Sequence, residues 1–141
     1  MKKSKSFRLF LIFVFCIFAF VQCEDKDKKE EKEEVTVVEY RRITADEAKE
    51  MLDKNPNAIL LDVRTEAEYT ARRIAGAILL TYNEIETKAA DVLPDKDALI
   101  LIYCRIGRRS EIASNKLISL GYTNVYDFGG IQDWTYETES D

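Results

Sequence analysis

Apolar residues fall along this chain in several different rhythms, and each rhythm predicts a different element. Leu9 to Val21 is a run of thirteen apolar residues behind a basic start. Glu24 to Glu34 follows with seven acids, four lysines and nothing apolar. A stretch with nothing to bury stays solvated, so this one predicts a charged spacer. From Thr44 the rhythm turns helical. Thr44-Ala45-Asp46-Glu47 has the spacing of a capping box, in which hydroxyl and carboxylate satisfy each other's free amides, and Ala48, Met51 and Leu52 follow on one face. Ala58 to Val63 and Leu99 to Tyr103 are short runs with little polar alternation, the pattern of strands covered on both faces. Ile112, Ala113, Leu117 and Leu120 predict a second helix, stopped by Gly121. Val125-Tyr126-Asp127-Phe128 predicts a last strand, closed by Gly129-Gly130. Strands buried on both faces and alternating with amphipathic helices imply an α/β domain, with a central, mainly parallel sheet flanked by helices.

Length and charge divide the chain further. Its 141 residues suit one domain. The boundaries read as a signal peptide or lipoprotein signal over 1–22, a charged flexible linker over 23–37, the folded domain over 38–136 and a C-terminal tail over 137–141. Thirteen apolar residues are too few for a comfortable membrane span of about 20 residues, but they match the hydrophobic region of an export signal. Cys23, after Phe20-Val21-Gln22, resembles the lipid-accepting cysteine of a bacterial lipoprotein, although Gln22 stands where a small residue is usual. A lipid anchor at Cys23, a retained apolar anchor and another cleavage site are the open alternatives. Each places the domain outside the cytoplasm, in the periplasm or on the cell-envelope side, possible membrane anchoring being through the N-terminus alone.

Residues 1–22 carry Lys2, Lys3, Lys5 and Arg8 and no acid; against −5 for the whole chain, the remainder carries −9. A body that acidic repels phosphate backbones, which argues against nucleic-acid binding. The chain has no histidine, which removes Ser-His-Asp and Cys-His catalysis and most zinc sites. No metal or cofactor is expected. Of the three cysteines, Cys16 and Cys23 belong to the N-terminal segment, and only Cys104 falls within the predicted domain. That is neither a disulfide framework nor a metal cluster.

Cys104 comes directly after the strongest predicted strand and directly before a helix, the position at which open α/β sheets bind ligands. The turn Cys104-Arg105-Ile106-Gly107-Arg108-Arg109-Ser110 holds three arginines and a glycine. Positive φ at Gly107 lets successive amides point to one centre, and the helix start behind them favours an anion. Such a turn favours the thiolate of Cys104, the nucleophilic form, without an imidazole. The blander account, an inert cysteine at a strand end beside solvated arginines, leaves this clustering unexplained.

The same seven residues resemble the active-site loop of single-domain rhodaneses, C-R-x-G-x-R-S. Asp62-Val63-Arg64 with Glu68-Tyr69, Ile74-Ala75-Gly76-Ala77 and Gly129-Gly130 with Trp134 resemble the family's other motifs, in family order. Arg72-Arg73 departs from the Gly-His pair common just before Ile74-Ala75-Gly76-Ala77. The resemblance implies a rhodanese-like fold and a ping-pong sulfurtransferase. The Cys104 thiolate would take sulfur from a small anionic donor such as thiosulfate and pass it to cyanide, or to an external thiol or thioredoxin-like acceptor. It further implies that Arg105, Ile106, Gly107, Arg108, Arg109 and Ser110 bind substrate, with Arg109 either a donor contact or a structural partner for an acid near Asp62. Asp62 and Arg64 would support the loop, Asp62 capping the next turn. Ser110 is expected to cap the following helix, Tyr103 to pack in the strand and Trp134 to lie in the core or a lid. A monomer is expected. A cysteine phosphatase or arsenate reductase fits less well, because those loops are C-x5-R and Cys104 to Arg109 is C-x4-R, a smaller nest. The remaining alternative is a non-catalytic rhodanese-fold binding or regulatory module.

Overall fold

The computed structural model describes residues 37–141; the apolar N-terminal run, Cys23 and nearly all of the charged spacer lie outside them. The elements follow in the order β1 (Arg41–Arg42), α1 (Ala45–Lys54), β2 (Ile59–Asp62), α2 (Glu66–Ala71), β3 (Arg73–Ile74), β4 (Ile78–Leu79), α3 (Ile85–Val92), β5 (Ile100–Cys104), α4 (Arg108–Ser119), β6 (Val125–Gly130) and β7 (Thr138–Glu139). Five strands form one sheet in the order β1-β6-β5-β2-β4, and every pairing within it is parallel. β3 and β7 make a separate antiparallel pair, so the tail at 137–141 is docked, held by Arg73 on Glu139 and Asp141.

Side-chain alternation along β5 sets the two layers. Ile100, Ile102 and Cys104 point toward α3 and α4, packing with Leu61, Val63, Ile85, Leu93, Ala113 and Leu117. Leu101 and Tyr103 point the other way, into a cluster with Ala45, Ala48, Leu60, Phe128 and Trp134. All five residues of β5 are buried, as its unbroken apolar run predicts. β1 and β4 occupy the edges, and β1 exposes two arginines that discourage further strand pairing.

Local signals place the helix starts. Thr44 caps α1 as its sequence predicts: the Glu47 amide donates to Thr44 Oγ1 at 3.2 Å, and the Thr44 amide donates to Glu47 Oε2 at 2.7 Å. A second capping box, Thr65 with Glu68, starts α2. Gly121, at φ +90°, follows the C-cap residue Leu120 and turns the chain out of α4.

Ile102 sits at the centre of β5 with none of its surface exposed. Ile102→Ala is expected to destabilise the domain by about 2–5 kcal/mol, read as a lower urea midpoint with an unchanged slope.

Candidate active site

Cys104 is the last residue of β5 and only 1% exposed. β5 and β6 run in register up to Ile102 opposite Asp127; one extra residue on β6 then puts Cys104 opposite Gly130. This irregularity swings the glycine pair over the end of β5. A Cβ on Gly130 would lie 2.3 Å from the Arg105 carbonyl oxygen, so only glycine allows the loop to pass this close. Gly107, at φ +105°, is the N-cap of α4 and offers no side-chain cap. Its amide donates to the Cys104 sulfur at 3.1 Å. The sulfur therefore faces the main chain of its own loop.

Two opposing influences act on that thiol. Burial is the largest and pushes the pKa up; the amides of Ser110, Gly107 and Ile106 pull it down, and the net displacement is below the ordinary cysteine value. Main-chain dipoles at a helix start thus favour the thiolate in a chain that has no imidazole to do so.

The other loop residues divide into rim and support. Arg105, Ile106 and Arg108 are exposed, Ile106 at 67%. Arg109 turns inward, and its fork meets Glu68 at 2.7 and 2.8 Å. Its acidic partner is thus Glu68 of α2, the structural alternative of the two, while its charge still acts on Cys104. Ser110 is buried but does not cap α4. It is the third residue of the helix, within the first turn, and its hydroxyl faces the carbonyls of Gly107 at 2.8 Å and Gly129 at 3.3 Å as donor. Gly107 already occupies the cap position, so the hydroxyl staples the loop to β6 while its amide serves the sulfur.

Asp62 and Arg64 form a buried pair at the end of β2. Asp62 Oδ1 accepts from the Arg64 amide at 2.9 Å, closing the turn, and Oδ2 accepts from Arg64 Nη2 at 2.6 Å. Arg64 also stacks over the ring of Tyr103. The Tyr103 hydroxyl accepts from the Ile74 amide at 3.1 Å, and burial pushes its phenol far above the ordinary value. Tyr103 is a packing residue. Trp134 is buried at 4% exposure in the core beside Phe128.

Three contributors escape the sequence reading. Glu68 serves two partners, and the T-x-x-E spacing from Thr65 is the signal that marks it. Asp127 is fully buried, accepts from the Gly129 amide at 2.8 Å and pairs with Arg42 at 2.8 Å; an acid inside an apolar strand run is its signal. Arg42 carries no sequence signal. A cleft of about 680 Å³ lies elsewhere, lined by Leu52, Leu60, Ile74 and Trp134, and includes none of the loop residues. Its size does not mark the chemistry, because a sulfur-sized anion needs only the hollow of one turn.

A buried cysteine at a strand end, with amides at a helix start converging on it and an arginine behind it, is the centre of the site. The chain belongs to the rhodanese-like family: the model of the rhodanese-like domain matches residues 44–137. It is 36% identical over 73 residues to the thiosulfate sulfurtransferase PspE of Escherichia coli, covering 52% of this chain and 70% of that one. It is 31% identical over 106 residues to the adenylyltransferase and sulfurtransferase UBA4 of Candida albicans, covering 70% of this chain but 24% of that longer protein. A solved rhodanese with anions from E. coli superposes with a TM-score of 0.56 at 31% identity, covering 60% of this chain and 99% of that one. The domain thus has relatives that are sulfurtransferases, and its mainly parallel, helix-flanked sheet is the rhodanese fold.

The Arg109 guanidinium is the main cause holding the Glu68 carboxyl at about 2, against an ordinary 4.5. A depressed acid contributes stability that is fully present above its unfolded value and lost as pH falls through the folded one. Glu68→Gln is therefore expected to be less stable than the wild type near neutrality and to converge with it as pH falls from about 4.5 to about 2. Urea titrations across that window check this; a gap of constant size would show that the ion pair contributes nothing.

Proposed function

We propose that this domain moves sulfane sulfur through a persulfide on Cys104. What carries the reading is the sulfur's position: its loop amides and the start of α4 converge on it, and relatives with sulfurtransferase activity share the domain. The Cys104 thiolate attacks the outer sulfur of an anionic donor such as thiosulfate. The Cys104 S–S bond forms, the bond to the inner sulfur breaks, and sulfite leaves with the electron pair. The loop amides then hold the terminal S⁻. Attack by cyanide on that terminal atom gives thiocyanate and returns the thiolate; an external thiolate instead leaves as a persulfide. Arg105 and Arg108, exposed on the rim, attract the donor, and Arg109 fixes the loop through Glu68 while adding positive charge. Asp62 and Arg64 brace the neighbouring strand end. The C-x4-R spacing suits this single sulfur better than a tetrahedral phosphate.

Incubating the full chain with thiosulfate is expected to add one sulfur atom to the Cys104 peptide by mass spectrometry, and Cys104→Ser is expected to lose that gain. Loading that survives the substitution sinks Cys104 as carrier, and no loading in the wild type leaves the domain as a binding module.

We further propose that residues 1–22 direct export and that Cys23 accepts lipid, placing the domain in the periplasm or at the cell envelope. With Cys23 acylated and Cys16 removed with the signal, Cys104 has no resolving cysteine in its own chain, so the acceptor is external. Metabolic labelling with a fatty-acid probe is expected to mark the wild type and not Cys23→Ser; equal labelling of both would remove the anchor from the scheme.

A further inference from the structure

Beside the loop stands a third arginine–carboxylate pair, Arg42 with Asp127, that the sulfur chemistry as described leaves unused. Asp127 is fully buried, while the side chain of Arg42 is 54% exposed. Arg42 Nη1 donates to Asp127 Oδ2 at 2.8 Å. Its other nitrogen, Nη2, lies against the loop: a Cβ on Gly107 would meet it at 2.9 Å, and one on Gly129 at 3.6 Å. Gly107 is the residue whose amide holds the sulfur, and Asp127 Oδ1 holds the Gly129 amide beside the carbonyl to which Ser110 is stapled. One guanidinium thus spans β1, β6 and the back of the sulfur loop.

We propose that Arg42 is a positioning residue for Cys104: it cancels the buried negative charge of Asp127 behind the loop, so that the cradle stays favourable to an anionic sulfur. This deepens the reading of Cys104 as a sulfur carrier and rests on it. A buried carboxylate beside an anion site is a cost to the thiolate unless a cation offsets it. Among the described residues, the other groups facing this corner do not supply one. Tyr40 precedes β1, and burial, Glu111 and Asp127 all raise its phenol. Glu111 of α4 adds a second acid, and Ser110 is neutral. Burial also lifts the Asp127 carboxyl above its ordinary value, against the pull of the Gly129 amide and Arg42. The 2.8 Å contact with the Arg42 guanidinium favours its charged form.

The test is the pH profile of Cys104 alkylation in the full chain, using iodoacetamide, a neutral probe on which arginine exerts no steering, with the Cys104 peptide read by mass spectrometry. Arg42→Gln is expected to move the midpoint up and to slow alkylation below it about three- to tenfold. Arg42→Lys is expected to keep the wild-type profile, and Asp127→Asn added to Arg42→Gln is expected to restore it. That restoration separates charge cancellation from a merely structural brace, which losing a second partner would worsen. An Arg42→Gln profile identical to the wild type, or no restoration in the double variant, overturns the proposal. Should Arg42→Gln not fold, Asp127→Asn alone decides: a lower midpoint supports the proposal, and an unchanged or higher one overturns it. Sulfur loading from thiosulfate is scored separately. A shifted profile without loading in the wild type sinks the sulfurtransferase reading alone, and loading with an unshifted profile sinks only the role of Arg42.

Discussion

A thiol held almost out of water, with no imidazole in the chain, depends on main-chain NH groups to favour its ionised form, and most of the local architecture follows from bringing those groups within reach. The Gly107 amide reaches Cys104 directly, and the positive φ of Gly107 turns the chain that follows so that the Ser110 amide serves the same sulfur. The loop can lie low over the strand end only because Gly130 has no side chain there. α4 must begin at once after the turn, so that its first amides face the sulfur and not solvent. The apolar character of β5 serves the same end, since a strand buried on both faces fixes the Cys104 backbone.

Around this centre three arginine–carboxylate pairs stand at the carboxyl ends of the strands or just beyond them. Arg64 holds Asp62 after β2, Arg109 holds Glu68 across from α2, and Arg42 holds Asp127 near the end of β6. The Arg109 pair ties α4 to α2 and the Arg42 pair ties β1 to β6, while Arg64–Asp62 closes the turn after β2; each neutralises an acid that would otherwise oppose an anion. They differ in burial. The Arg64–Asp62 pair is nearly dry, so breaking it would strand a charge; the Arg42 side is half in water and more open to screening by salt.

How much of this the sequence discloses depends on whether a feature is local. The capping box at Thr44, the apolar runs of β2 and β5 and the glycine in the Cys104 turn depend on neighbours within a few residues, and all are legible. So is the sheet's parallel character, through alternation of strand and helix. α3 is not read: it has little more than Ile85 and Ala89 to bury, and no side chain caps its start. β1 is two exposed arginines, with no apolar pattern to find. The partners of Arg109 and Arg42 lie 41 and 85 residues away, and nothing in the spacing along the chain pairs them. Ser110 shows the opposite error, a plausible local rule overridden because Gly107 already holds the cap.

The depth of Cys104 bears on the order of events in any relay that uses it. At 1% exposure the bare sulfur is recessed beneath its loop, within reach of a slender inorganic ion and out of reach of a bulky protein thiol. Adding an atom extends the side chain by about 2 Å. A large recipient could then touch the charged form and not the empty one, so that encounters would be confined by shape to the state that has sulfur to give.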